Sequence, residues 1–337
     1  MIHSYALPIR TRFVHTGLLF GLGLVASAYA QTDPAVMKEL EIIADRNEQT
    51  YLSLKSFTVK GEYELTEAVD PWALRYPDKY PRRPRVTRCT ALWIRDGDRF
   101  RTEYTSDRSH PGYAGSTSKK RVSVSNDDYL AAMHMPNHIT VFMHDKTQSK
   151  SKNGLPAESP DWSQDPRRFG FTAGSSRLLK ESLFLHREVL QWSLEKLPDS
   201  DGSIFIIEKI NPARKGSHVD RCVYELDPDK DYLVTRMRHW NTEGVQDGSI
   251  EIELQQLPNG RWFPKRGTRI DEGYSLTMTM LDVTTDMPID EKLFAVESIE
   301  FDPEKATMEV IDAEKRKSAF LRWYRDRWVP VDLILPP

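Results

Sequence analysis

The chain has 337 residues, a formal net charge of −3, 29% charged side chains and 21 prolines. That length can bury a sizeable core, as one large domain or two small ones. The mildly acidic balance argues against a nucleic-acid partner.

Residues 1–30 read as a secretory signal peptide. Arg10 and Arg12 charge the front, Gly17 to Ser27 is apolar, and Ala28-Tyr29-Ala30 is a small-x-small cleavage site. Cleavage after Ala30 predicts a periplasmic or secreted protein. It would leave 307 residues and move the formal charge from −3 to −5, since Arg10 and Arg12 are the only charges removed.

A helix is predicted from Asp33 to Leu54. Asp33 serves as N-cap and Pro34 takes the first helical position, where its missing N–H costs nothing. Val36, Leu40, Ile43, Tyr51 and Leu54 make its apolar stripe. After Ser56 the period changes to two. Phe57, Val59, Tyr63 and Leu65 then share one face of a strand, with Thr58, Lys60, Glu62 and Glu64 on the other. Such a helix needs a floor and such a strand needs a cover.

Asp70 to Arg85 is a proline-rich loop; Arg82, Arg83, Arg85 and Arg88 could touch anionic head groups or lipopolysaccharide, and a solvated loop is the commoner outcome of such a run. Arg88 to Thr105 predicts a hairpin on a type I′ Asp96-Gly97 turn. That turn pairs Trp93 with Phe100, Ala91 with Thr102 and Cys89 with Tyr104 on an inward face. Arg99 and Arg101 then lie outside, their stems along Ile94 and Leu92. Val122, Val124, Tyr129 and Ile139 to Met143 suggest two or three short strands, and Lys146 to Arg168 an exposed loop. The leucines from Leu178 to Leu194 predict a central helix over Ser175–Leu194.

The second half alternates repeatedly, through Ile204–Ile210, Val219–Leu226, Tyr232–Trp240, Ile250–Leu254, Trp262-Phe263 and Tyr274–Met280. Asp227-Pro228-Asp229 and Asn259-Gly260 supply turns, and Asp286 to Phe294 a turn with a short helix. Ile311 to Trp328 is predicted as a last helix, and Val329 to Pro337 as an extended tail. About ten strands with few helices favour a mainly β, α+β fold: an antiparallel sheet curling toward a barrel.

Catalytic patterns are missing. There is no Gly-x-Ser-x-Gly, His-Glu-x-x-His, Cys-x-x-Cys or phosphate-cradling glycine loop, so no catalytic residue and no cofactor are predicted. Pro136 separates His134 from His138 and spoils a helical metal pair with them, and His144-Asp145 is a loop; no metal site is predicted. Cys89 and Cys222 are the only cysteines. Export permits a disulfide between them, and the strand parities allow two separate buried thiols equally well.

Several stretches together resemble a known family. They are Tyr51-Leu-Ser-Leu-Lys-Ser-Phe57 running into a strand, Leu92-Trp-Ile-Arg-Asp-Gly-Asp-Arg-Phe-Arg101, Asn259-Gly-Arg-Trp-Phe-Pro264 and Pro288-Ile-Asp-Glu-Lys-Leu-Phe294. The chain resembles the LolA-like family of outer-membrane lipoprotein-sorting carriers, and the related periplasmic domain of sigma-E regulators. The resemblance covers roughly residues 34–104 and 203–295. It implies a single domain over 31–328, with an insertion at about 106–200, built as an unclosed β-barrel lidded by an N-terminal and a central helix. It also implies a non-enzymatic carrier whose concave face takes lipid or lipoprotein acyl chains. Alternation alone then nominates Phe57, Val59, Tyr63, Trp93, Phe100, Tyr274, Leu276, Met278 and Met280 as the lining. The second expectation is an envelope module that binds a protein partner on the same scaffold.

Overall fold

The structure, a computed structural model, describes residues 32–69, 78, 84–107, 120–135, 137–143, 166–167, 178–184, 191–199, 202–210, 221–241, 243–312 and 317–331. The signal-peptide reading, most of the Asp70–Arg85 loop, the end of the tail, His144 and much of the insertion lie outside them.

Helix α1 spans Pro34–Ser53, with the Asp33 carboxylate accepting from Ala35 N at 2.8 Å. Strands β1 (Ser56–Glu67), β2 (Arg85–Asp96), β3 (Arg99–Ser106), β4 (Lys120–Ser125), β5 (Tyr129–Met135) and β6 (His138–Met143) follow. A six-residue helix, α2 (Leu179–Phe184), precedes β7 (Gln191–Asp199), β8 (Gly202–Ile210), β9 (Arg221–Asp227), β10 (Leu233–Trp240), β11 (Gln246–Gln256), β12 (Trp262–Asp271) and β13 (Tyr274–Thr285). After two short 3-10 turns within 291–298 come β14 (Thr307–Asp312), β15 (Lys317–Tyr324) and β16 (Arg327–Pro330).

The sixteen strands among the described residues form one open sheet in the order β16-β15-β14-β6-β5-β4-β3-β2-β1-β13-β12-β11-β10-β9-β8-β7. Neighbours run antiparallel except β6 and β14, which are parallel. The sheet is not closed into a barrel, and its ends are β16 and β7.

Two apolar cores lie on opposite faces of this sheet. One joins α1 (Leu40, Ile43, Tyr51) to Val59, Trp93, Tyr224, Met237 and Met278 on the strands. The other joins Val122, Val124, Met133 and Ile139 to Val296 and Ile299 of the crossover between β13 and β14. Register shows the change of side. Val124 lies opposite Arg101 and Arg101 opposite Ile94, while Trp93 sits on the α1 side. On β2 and β3 both faces are covered, so three consecutive residues are buried on each: Trp93, Ile94 and Arg95, then Phe100, Arg101 and Thr102.

This corrects the expected outer face at Arg101. Its guanidinium donates to Leu293 O and Ser298 O, both at 3.1 Å, and to Glu103. It therefore ties the crossover to the sheet. Charged-group hydrogen bonds of this kind are what make a buried arginine tolerable.

The predicted hairpin exists, but its register differs. The turn residues are Gly97-Asp98 and Gly97 has φ 62°, the first-position pattern of a type II′ turn rather than I′. Each pair moves by two: Trp93 faces Thr102, Ala91 faces Tyr104, Cys89 faces Ser106, and Phe100 faces Arg95. A shift of two preserves the faces.

The two later helices predicted from the sequence are corrected too. Among the described residues the leucine run of 175–194 gives the short α2, and its end enters β7, where Leu194 pairs with Ile207. The predicted helix at 311–328 is instead the end of β14, then β15 and β16. Arg325 and Asp326, both left-handed, make the hairpin turn between the last two strands. Non-local pairing overrode local periodicity in both places.

Candidate functional site

Among the described residues the larger of the two apolar clusters lies on the sheet face beneath α1. Of the nine nominated residues, Phe57, Val59, Trp93, Leu276, Met278 and Met280 are buried in that cluster, and Tyr63 and Tyr274 pack against it half-buried. Phe100 is buried but lies outside the cluster. Sequence reading missed Met37 of α1, three residues before Leu40, and Met237 of β10. With Met278 and Met280 they put four methionines in one contact cluster, a soft and deformable bed.

Polar contacts along its flanks hold α1 on this bed. Asn47 Nδ2 donates to Tyr232 O and Arg46 to the Tyr232 hydroxyl, both at 2.8 Å. Lys180 of α2 pairs with Glu48 at 2.6 Å and Asp45 at 2.9 Å. Carbonyls at the helix end, where the i to i−4 ladder runs out, accept from arginines. Arg261 donates to Ser53 O at 2.9 Å, and Arg167 to Leu54 O at 2.8 Å and Tyr51 O at 3.2 Å. Arg167 is 2% exposed and its guanidinium stacks 4.0 Å over the Tyr51 ring. The sequence placed it in an exposed loop, and nothing local distinguishes it from its neighbour Arg168.

Some polar atoms under and beside the helix are left over. Asn47 Oδ1 and Trp192 Nε1 are buried without a hydrogen-bond partner among the described residues. Each carries a desolvation cost of about 1–3 kcal/mol in this closed arrangement.

The far end of the same face is polar. Register places Cys222, His239, Gly248, Asp271, Tyr274 and Glu67 side by side across β9, β10, β11, β12, β13 and β1. His239 Nδ1 lies 2.6 Å from Asp247 Oδ1 and its Nε2 3.1 Å from Asp271 Oδ1. Arg269 Nε donates to Asp271 at 2.6 Å.

Burial pushes the Asp271 carboxyl upward, but hydrogen bonds from His239 and Tyr274 and the Arg269 guanidinium outweigh it and hold it at about 2. Burial and the hydrogen bond to Asp271 raise the Tyr274 hydroxyl to about 12. The hydrogen bond to Asp271, against some desolvation and with help from Asp247, raises His239. With a carboxylate on each nitrogen the protonated ring is favoured and ties three strands together, which does not suit it as a free general base.

A pH dependence follows. Because His239 is raised in the folded state, its stabilisation is full below the unfolded value and is lost as pH rises through the folded one. Urea midpoints should therefore fall over a pH window that opens at the ordinary histidine value and extends above it. His239→Gln should start lower and stay flat across that window, and parallel profiles for the two proteins would refute the assignment.

Both cysteines are free and buried. Cys89 on β2 and Cys222 on β9 have β1, β13, β12, β11 and β10 between them, so the disulfide allowed by the sequence is not formed. Burial raises both thiols, which makes them inert rather than reactive. His138 bonds Thr307 Oγ1 at 2.8 Å, and no metal-holding group of His, Cys, Asp or Glu occurs among the described residues. No helix among them is long and apolar enough to cross a membrane.

No family model and no curated protein matches the chain. Among solved structures it is similar to a domain described as an outer membrane lipoprotein-sorting protein from Vibrio parahaemolyticus, at 13% identity and TM-score 0.43, covering 78% of this chain and 98% of that one. It is similar to a DUF1329 family protein from Desulfovibrio piger at 11% identity and TM-score 0.41, covering 79% and 99%. A LolA superfamily protein from Nitrosomonas europaea follows at 11% identity and TM-score 0.39, covering 77% and 99%. At scores this low the likeness is one of outline alone.

Proposed function

We propose that the protein is a non-enzymatic carrier or binder of lipids or lipoproteins in the cell envelope. Acyl chains would be taken between α1 and the sheet face lined by Phe57, Val59, Tyr63, Trp93, Tyr274, Leu276, Met278 and Met280. The observation that carries this reading is the methionine-rich bed beneath a helix clipped down by flanking polar contacts. Methionines repack around varied chains at little cost, and flank clips of this type are replaceable by water when a helix shifts. Asn47 Oδ1 and Trp192 Nε1 add to it, because this arrangement leaves them unpaired among the described residues. Phe100, outside that cluster, is not part of the proposed lining. The sequence resemblance implies the same class of cargo and a periplasmic or secreted location.

Native purification followed by lipid mass spectrometry tests this. Stoichiometric acyl lipid or lipopeptide should accompany the protein, and delipidated protein should take up a fluorescent fatty acid. A protein that comes without lipid and ignores the probe overturns the reading. A stoichiometric protein partner that survives delipidation would instead favour an interaction module on the same scaffold.

A further inference from the structure

The last two strands make a hairpin at an open end of the sheet, and its two faces differ in character. On one face Trp323 lies opposite Trp328 with the rings 5.2 Å apart, and Phe301 packs against both. On the other face Phe320, Arg322 and Tyr324 alternate along β15. Arg327 stands opposite Tyr324, and Val329 opposite Arg322. Phe320 is 56% and Tyr324 45% exposed. Arg322, Arg325 and Arg327 are exposed too.

Charge sets this hairpin apart from the body. Residues 317–331 hold Lys317, Arg322, Arg325 and Arg327 against Asp326 alone, in a chain whose formal net charge is −3. Among the described residues none of the three arginines pairs with a carboxylate. Arg322 donates to the Glu304 carbonyl, and Arg325 lies over the Tyr324 ring at 5.1 Å. The turn is unusual as well. Arg325 and Asp326 sit at φ 49° and 60°, positions that glycine or asparagine would fill without strain. An arginine there puts a cation at the very tip.

We propose that this hairpin docks the protein on the surface of an anionic phospholipid bilayer. Aromatic rings with one wet edge settle at the headgroup level, and the planar guanidinium matches phosphate oxygens in a bidentate fork. Alternation along β15 and β16 sets the two chemistries side by side on one face. The same edge is poorly suited to strand addition by a second copy or another protein. β16 has only four residues and ends on Pro330, which lacks an N–H. The docking surface stands apart from the α1 seat, so it does not depend on what that seat carries.

Flotation of the purified protein with vesicles of phosphatidylcholine and phosphatidylglycerol, against phosphatidylcholine alone, tests the proposal. Binding should appear only with the anionic lipid and weaken as salt is raised. Arg322→Gln, Arg325→Gln and Arg327→Gln together should weaken it by about a hundredfold, at about fivefold for each cation. Phe320→Ser with Tyr324→Ser should also abolish flotation while circular dichroism and the urea midpoint show an intact fold. No binding to the anionic vesicles, or binding that neither variant changes, overturns the proposal. So does a self-association lost in the Phe320→Ser, Tyr324→Ser protein without any flotation, which would mark the face as a contact between copies.

Discussion

Gly248→Ala should destabilise the protein by about 3–5 kcal/mol, combining overpacking with the loss of charge-assisted hydrogen bonds. Gly248 is buried on β11, and a Cβ there would stand 1.7 Å from His239 Nε2 and 2.6 Å from Asp271 Oδ1. Neither group can step aside cheaply. His239 is held on its other nitrogen by Asp247, and Asp271 is held by Arg269 and Tyr274. The extra methyl must therefore expel the imidazole and leave Asp271, in a partly buried site, with Arg269 as its one remaining cationic partner among the described residues. Urea denaturation measures the loss. The double variant Gly248→Ala, His239→Ala should recover part of it, because the clash goes with the ring, and that non-additivity is the signature of direct contact. Additive losses would show that the glycine serves something other than the imidazole.

The sequence made the half of the fold around α1 and β1 legible, because both carry their own periodicity and caps. Asp33, Pro34 and the stripe through Leu40, Ile43 and Tyr51 needed no partner to be read. The turns at Asp227 and Asn259 were equally local, the first resolving into a 3-10 turn capped by Asp227. Legibility failed where a segment's partner was distant. Leu194 looks helical until Ile207 is beside it, and Leu321 until Met308 is. Two-sided burial was the other blind spot. An arginine on a strand reads as an outer-face residue, and nothing around Arg101 announces that residues 293–298 come back to cap it. Parity alone put most of the nominated residues in the cluster under α1, since a register error of two leaves faces unchanged. The charged row at its far end was not found, because His239, Asp247 and Asp271 come from three strands that only the sheet order brings together.

Trp93→Ala should cost about 3–5 kcal/mol, the range of large aromatic truncations in a filled core. Trp93 is 1% exposed and belongs to the cluster under α1. Its ring lies against Gly61, where even a Cβ would come within 2.9 Å of Trp93 Cζ3, so the neighbouring strand has given up a side chain to make room. Nε1 donates to the Tyr104 hydroxyl at 3.0 Å, and the two rings meet edge to face at 6.0 Å. Trp93→Phe keeps most of the volume and forfeits that hydrogen bond, so its cost should be nearer about 1 kcal/mol. The pair of variants also bears on the carrier reading. If acyl chains enter between α1 and the sheet, Trp93 forms part of the wall, and Trp93→Ala enlarges the space it closes. Fatty-acid uptake by the folded fraction should then rise or change chain-length preference, while Trp93→Phe behaves like the parent. A loss below about 1 kcal/mol for the alanine variant would mean the face is already open there. A full loss with an unchanged chain-length profile would move the ligand away from Trp93 and toward the methionines beneath α1.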